Sequence, residues 1–344
     1  MTHRPKDAAP LRVGLVGCGS IASQHLDAIT ANPDAVLVAV ADTDEDAAAA
    51  VVADRGVPGY PDLTRMLDEE QPDVVHICTP HHLHAPMAIE SLRRGVHVLL
   101  EKPVATTVAD GEAVVRAARS STATIGVCFQ NRFNPTIVAI RDLLERGTLG
   151  DLVGGRAAVT WFRDESYYAS RPWRGRWSES GGGVLINQAI HTLDLLQWFL
   201  GEVTSVRGVA TRVALSDTIE VEDTAALQLG HAGGRRSLFH ASNGYVANAP
   251  VTLELIADRG IVKLDTDVRV EHADGRVDTI RETRVGHGDK AYWGASHRDL
   301  IDDFYRHVRA GTPFSIGPAE ALKSLKIITA VYDQSAHLLG RRSC

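Results

Sequence analysis

The sequence predicts an α/β protein: a doubly wound parallel sheet of the Rossmann type at the N-terminus, then an α+β domain built on a large, mostly antiparallel open sheet. Three observations predict it. Short apolar runs alternate with helical stretches up to about residue 130, and a Gly-x-Gly-x-x-Ala turn follows the first run. Beyond residue 131 the apolar and polar residues alternate mostly with period two. The chain has 344 residues, more than one core usually organises, so two domains are expected, 1–130 and 131–344.

In the first half LRVGLVG, AVLVAVAD, DVVHICT, VHVLLEK and TIGVCFQ read as strands, because parallel strands covered on both faces are almost continuously apolar. Helices are expected over 21–31, 45–54, 63–70, 84–94 and 109–118. In the second half a helix over 135–146 leads into the strand LVGGRAAVTWF, and antiparallel sheet is expected over 204–284. Asp274-Gly275 suits a tight type I′ hairpin turn, and helices over 297–310 and 318–339 close the chain.

Composition narrows the function classes. Apolar residues make up 44% and charged residues 23%, as in an average globular domain, so neither disorder nor a membrane protein is indicated. A net charge of −7 gives no general attraction to nucleic acid or anionic lipid, and neither is expected as a partner. The polar segment MTHRPKDAAP lacks the apolar stretch of a secretory signal, so a cytoplasmic location is expected. Cys18, Cys78, Cys128 and Cys344 are scattered without metal or redox spacing, which fits reduced thiols.

The Gly17-Cys18-Gly19-Ser20-Ile21-Ala22 turn sits where a dinucleotide fingerprint belongs, between the first strand and the first helix. Gly17 permits the tight turn, Gly19 leaves room for a pyrophosphate, and Ala22 lets the helix lie close to the sheet. Asp42 ends the second strand, where its carboxylate can accept the ribose hydroxyls and would repel a 2′-phosphate. Thr43 adds no base to reverse that preference, so NAD is expected rather than NADP. The alternative is a strand-end Asp that caps the next helix. His76, His81, His82 and His84 crowd into nine positions, but no neighbouring Cys or carboxylate completes a tetrahedral set. No metal is expected, and a loop over the cofactor fits better.

Lys102 stands between Glu101 and Pro103 at the end of a strand, and Pro103 holds it out of the helical region at the carboxyl edge of the sheet. Desolvation and a positive nicotinamide ring would lower its pKa, allowing it to accept a proton from an alcohol. Further on, Gly181-Gly182-Gly183 precedes an apolar helix in which Asn187, His191 and Asp194 follow i, i+4, i+7. Such a stripe either faces a ligand or closes into a hydrogen-bonded set. Between Trp161 and Trp177 lie three of the five tryptophans with Arg163, Tyr167, Tyr168, Arg171, Arg174 and Arg176. Aromatic faces and guanidinium forks suit a sugar nucleotide or acidic sugar, with Arg163, Tyr168, Trp173 and Arg174 as candidate contacts. An oligomer contact has the same composition.

The Gly-x-Gly-x-x-Ala turn, Thr79-Pro80, Glu101-Lys102-Pro103 and the triple-glycine helix with His191-x-x-Asp194 together resemble the Gfo/Idh/MocA oxidoreductases over nearly the whole chain. The resemblance implies that Lys102 is the acid/base residue and that His191 contacts the reacting hydroxyl. It implies NAD held by Gly17, Gly19, Ser20, Ile21, Asp42, Thr43, Thr79, Pro80, His84, Glu101, Lys102 and Gln130. Packing of the open sheets into a homodimer or homotetramer is implied as well. Asn187 departs from the inositol dehydrogenase branch, which carries Asp at this position, and a neutral amide cannot share a proton with His191 or Lys102. It looks instead like the branch that oxidises C3 of sugar nucleotides, where Asn187 orients a hydroxyl. An inositol dehydrogenase, a ketoreductase of deoxysugar or natural-product biosynthesis, and a non-catalytic NAD-bound sensor are the alternatives. Lys290-Ala291-Tyr292-Trp293-Gly294 resembles a family segment near the substrate.

Overall fold

Strands β1 (Leu11–Val16), β2 (Ala35–Ala41), β4 (Val74–Ile77), β5 (His97–Leu100) and β6 (Ile125–Val127) form where the apolar runs predict them in the computed structural model, which describes residues 9–282 and 296–340. They pair in parallel with a two-residue strand β3 (Gly59–Tyr60), in the order β3-β2-β1-β4-β5-β6. The periodicity does not announce β3, since two residues carry no pattern. The order turns back between β1 and β4, and a doubly wound sheet receives its ligand at the carboxyl ends beside such a switch point. The connecting helices are α1 (Ala22–Ala31), α2 (Glu45–Arg55), α3 (Leu63–Glu70), α4 (His84–Arg93) and α5 (Val108–Arg119). Asp44 and Asp62 cap α2 and α3 by accepting from the amides of Ala47 and Arg65.

Among the described residues the chain forms two units. The first runs to Val104 and takes Gly111–Cys128 and His297–Ala319; the second takes Ala105–Asp110, Phe129–Ser296 and the chain from Glu320. The single boundary expected at residue 130 therefore matches only one of the crossings. Helix α10 (His297–Ala310) belongs to the first unit. There Asn32 donates to Asp302 at 2.5 Å, Arg309 to the carbonyl of Asp34 at 2.9 Å, and Phe304 and Phe314 close over Gly126.

In the second unit α6 (Pro135–Glu145) precedes β7 (Leu152–Thr160), α7 (Glu165–Ala169), α8 (Trp177–Ser180) and α9 (Ile190–Leu200). Strands β8 (Val203–Thr211), β9 (Thr224–His231), β10 (Arg236–Ser242), β11 (Thr252–Ala257), β12 (Gly260–Leu264), β13 (Val268–His272) and β14 (Val277–Ile280) complete a sheet ordered β14-β13-β12-β11-β7-β10-β9-β8. Only the β7–β10 pair is parallel. One face is covered, with Phe239 and Ala241 inside, whereas Val209, Leu238 and Ile256 are exposed. The β13–β14 turn is not type I′. His272 accepts from the amide of Gly275 and donates to the carbonyl of Arg276, and only Gly275 has positive φ, which makes it a three-residue loop. Helix α11 (Pro318–Gln334) ends before residue 339, and turns follow it.

The helix expected from the triple glycine is also not uniform. Leu185–Ala189 is a π-turn, and α-helix begins only at Ile190. Two buried carboxylates hold this segment. Glu222 accepts from the amides of Gly183 at 2.7 Å and Leu185 at 2.9 Å and from the Tyr332 hydroxyl at 2.8 Å, so it caps the helical segment from a distant stretch of chain. Asp194 receives a two-pronged bond from Arg132, with both contacts at 2.7 Å, and further donors from Ser324 and Gln197. Asp194 thus belongs to a closed hydrogen-bonded set rather than to a ligand-facing stripe. The triple glycine is explained in the same way. A Cβ at Gly183 would lie 1.8 Å from the carbonyl oxygen of Glu222, and one at Gly182 2.1 Å from the Tyr332 hydroxyl.

Burial pushes the Glu222 carboxyl up to about 7, against the downward pull of its donors. A carboxyl raised in the folded state gives stability that is complete below its ordinary value of 4.5 and is lost as pH rises through about 7. Denaturant titrations should show stability falling by up to about 3 kcal/mol between about pH 5 and 8. Glu222→Gln should remove that slope.

Candidate active site

The glycine turn of the first unit has the geometry a dinucleotide requires. Gly17 has φ +93°, and a Cβ there would sit 2.6 Å from the carbonyl carbon of Cys78, so only glycine permits this approach of β1 to the end of β4. A Cβ at Gly19 would meet no protein atom within 4 Å, leaving that side of the turn open to a ligand. Ser20 is exposed, Ile21 half-buried and Ala22 buried under the sheet. No side chain caps α1 and no acidic residue lies in its first turn, so its amides and dipole favour an anion.

Asp42 stands beside this turn. Its Oδ2 accepts from the Cys18 amide at 2.6 Å and its Oδ1 from the Asp44 amide at 2.9 Å. It therefore ties β2 to the glycine turn, while Asp44 caps α2. Burial and the Asp42 charge push the Cys18 thiol up to about 12, so this cysteine stays a thiol. Thr43 is exposed. These groups fit NAD: glycines and free amides for the pyrophosphate, a carboxylate for a ribose.

Thr79 and Pro80 are half-buried after β4, and Lys102 is half-buried after β5, joined to Pro103 by a cis peptide bond. His84 is buried with Nδ1 2.7 Å from the carbonyl oxygen of Pro103 and Nε2 2.9 Å from that of Thr79. Its ring brackets the two strand-end turns together. Burial lowers its pKa, and the nearby charges of Glu101 and Lys102 act on it in opposite directions. The clustered histidines go separate ways, because His76 lies inside β4 and bonds His25 and Tyr305.

Glu101 is buried, and its Oε1 lies 3.1 Å from His25 Nε2 and 3.5 Å from His297 Nε2. Burial alone would raise its pKa; the hydrogen bond from His25 and the nearby His297 ring overcome this and hold it well below the usual carboxylate range. His25, Glu101 and His297 are the group of donors among the described residues close enough for a metal, with ligand atoms within 4.8 Å of one another. His25 was legible as a lone polar residue on the apolar face of α1 with Ala22, Leu26 and Ile29. Nothing in the pattern pointed to His297.

In the second unit the segment 182–197 is buried except at Asn187 and His191. The π-turn places Asn187 one turn before α9, and the ring of Phe129 meets the His191 ring edge-on, with centroids 5.7 Å apart. Gln130 is buried at the start of a short turn in this unit. Gln188 donates to the Tyr167 hydroxyl at 3.0 Å, and Asn243 donates to both the Tyr168 hydroxyl and Gln188. Tyr168 and Arg163 are therefore committed to the fold: Arg163 is buried and donates to Asn248 at 2.8 Å. Trp173 and Arg174 are half-buried, and the Arg174 guanidinium lies over the Tyr167 ring at 4.4 Å. Lys290-Ala291-Tyr292-Trp293-Gly294 lies outside the described residues.

Comparison with known proteins agrees with this geometry. Residues 11–129 match the oxidoreductase family with an NAD-binding Rossmann fold, and residues 137–263 match the GFO/IDH/MocA C-terminal domain. The chain is similar to the WlbA dehydrogenase from Bordetella pertussis, solved in complex with NADH and UDP-GlcNAcA. They share 32% identity with a TM-score of 0.82, over 95% of this chain and 97% of that one. It is similar to D-apiose dehydrogenase of Paraburkholderia graminis, at 30% identity over 92% of this chain and 86% of the other. It is also similar to inositol 2-dehydrogenase of Rubrobacter xylanophilus, at 30% identity over 75% of this chain and 72% of the other. With its glycine turn, strand-end lysine and two-unit architecture, the chain belongs to the Gfo/Idh/MocA family of NAD-dependent oxidoreductases.

Proposed function

We propose that this enzyme transfers a hydride between NAD and a secondary ring hydroxyl or ketone of a sugar nucleotide, with C3 as the reacting carbon. NAD, when bound, takes up or returns the hydride. In this reading Lys102 holds and releases the alcohol proton at its Nζ, and His191 and Asn187 position the hydroxyl. Because a base must be deprotonated to accept a proton, oxidation should quicken and reduction slow as pH rises through the pKa of Lys102.

The observation that carries the choice of a nucleotide substrate is Arg174. It rests on the Tyr167 ring and beside Trp173, with no carboxylate within ion-pair distance among the described residues. A guanidinium flanked by aromatic rings and free of an acid suits a phosphate or a sugar carboxylate. The likeness to a dehydrogenase solved with UDP-GlcNAcA supports the same reading. The similarity to dehydrogenases named for D-apiose and inositol supports a second one, a neutral polyol substrate.

A cytoplasmic homodimer or homotetramer completes the proposal. Among the described residues no helix is long and apolar enough to cross a membrane. The exposed Val209, Leu238 and Ile256 on one face of the large sheet support packing against a second copy.

Three measurements test these points. Lys102→Ala should lower kcat about 100- to 10,000-fold, read from NADH absorbance across a panel of nucleotide sugars, free sugars and inositols. Retention of turnover would remove Lys102 as the acid/base, and no absorbance change from the unaltered protein with any substrate would favour the sensor. Arg174→Ala should raise KM for nucleotide sugars about tenfold or more while leaving KM for neutral polyols unchanged; the polyol reading expects no difference. Leu238→Glu should yield monomers in native mass spectrometry where the parent protein gives dimers or tetramers.

A further inference from the structure

Four buried side chains of the first unit, each from a different element, form a chain of hydrogen bonds. The Tyr305 hydroxyl on α10 lies 2.9 Å from His76 Nε2 on β4, and His76 Nδ1 lies 2.9 Å from His25 Nδ1 on α1. His25 Nε2 lies 3.1 Å from Glu101 Oε1, and Glu101 Oε2 accepts from the backbone amide of Lys102 at 3.2 Å. His25 and His76 are 0% exposed and Tyr305 1%.

The hydrogens along this chain can be counted. A carboxylate only accepts, so His25 carries its hydrogen on Nε2, and a neutral ring then accepts at Nδ1. His76 must supply that hydrogen from Nδ1, which leaves its Nε2 to accept from Tyr305. One hydrogen per ring satisfies every bond. The reversed arrangement leaves the Tyr305 proton without an acceptor among the described residues, a costly state for a buried hydroxyl. Burial lowers the pKa of both rings and raises that of Tyr305, which agrees with neutral rings and a protonated tyrosine.

We propose that His25 and His76, anchored by Tyr305, are positioning residues that hold Glu101 as a fixed negative charge beside Lys102 and so set the pH at which Lys102 exchanges its proton. The proposal rests on Lys102 being the acid/base. The groups facing Glu101 are His25 from α1, His76 and Cys78 from β4 and its end, His84 from α4, Cys128 after β6 and His297 from α10, and the charge of Lys102 acts on His84 and Cys128 alongside that of Glu101. Burial, then the charge of Glu101, keeps the thiols of Cys78 and Cys128 protonated well above the neutral range. A negative charge favours the ammonium form of a neighbouring lysine, so neutralising Glu101 makes Lys102 a base at lower pH.

Glu101→Gln should therefore move the acid limb of kcat/KM for oxidation to lower pH by about one unit, with KM for NAD changed less than kcat. A folded variant with an unmoved limb overturns the proposal. Histidine nitrogen NMR on the unaltered protein tests it independently of that variant's folding: His25 should carry its hydrogen on Nε2 and His76 on Nδ1. The opposite tautomers, or stoichiometric zinc in metal analysis occupying His25, Glu101 and His297, overturn it too. Lys102→Ala separates the two readings. Full activity in that variant defeats the acid/base role itself, whereas an inactive Lys102→Ala with an unmoved Glu101→Gln limb defeats only the positioning role.

Discussion

A carboxylate removed from water costs several kcal/mol unless hydrogen-bond donors meet it, and this chain buries one beneath three of the segments that carry candidate residues. Glu101 lies under the strand end that presents Lys102, and histidines meet it. Glu222 lies under the triple glycine and gathers two amides and a hydroxyl. Asp194 lies one turn beyond His191 and takes a guanidinium fork. Each is satisfied by groups distant in sequence, so the segments that present polar side chains to solvent are fixed from below by buried hydrogen bonds. Asp223, buried beside Glu222, does the same for the loop at Val213, Ala214 and Leu215. Such fixation suits hydride chemistry, which depends on reacting groups being held in place before the reaction.

The fold was legible because its signals are local. Doubly covered strands write themselves as unbroken apolar runs, and the glycine turn needs only the six residues from Gly17 to Ala22. The strand-end position of Lys102 was legible because Pro103 restricts its neighbour. The π-turn at Leu185–Ala189 was not, since no residue there departs from helix-forming composition, and the three glycines answer to distant groups: Thr106 at Gly181, the Tyr332 hydroxyl at Gly182 and the Glu222 carbonyl at Gly183. Glu222 and Arg132 were invisible for a related reason. An acidic residue at the head of a strand and an arginine after a short turn look like surface groups until their partners, 37 and 62 residues away, are known.

The aromatic and arginine-rich segment divides in the structure. Arg163 and Tyr168, two of its candidate contacts, are bonded into the unit and hold the segment's shape, while Trp173 and Arg174 keep part of their surface. Composition identified the region and could not apportion the work within it. The same division holds in the helical segment, where Asn187 and His191 are partly exposed and Asp194 is enclosed.

The return of the chain to its first unit has a consequence for biosynthesis. Tyr305, Phe304 and Phe314 complete the core of the dinucleotide-binding unit, yet they emerge from the ribosome after most of the second unit has been made. Until then β6 lacks the rings that close over Gly126, and His76 lacks its donor. A vectorially folding chain would ordinarily finish its leading domain early. Here the nascent first half must wait with a partly open core, so truncation anywhere before residue 319 removes part of both units at once.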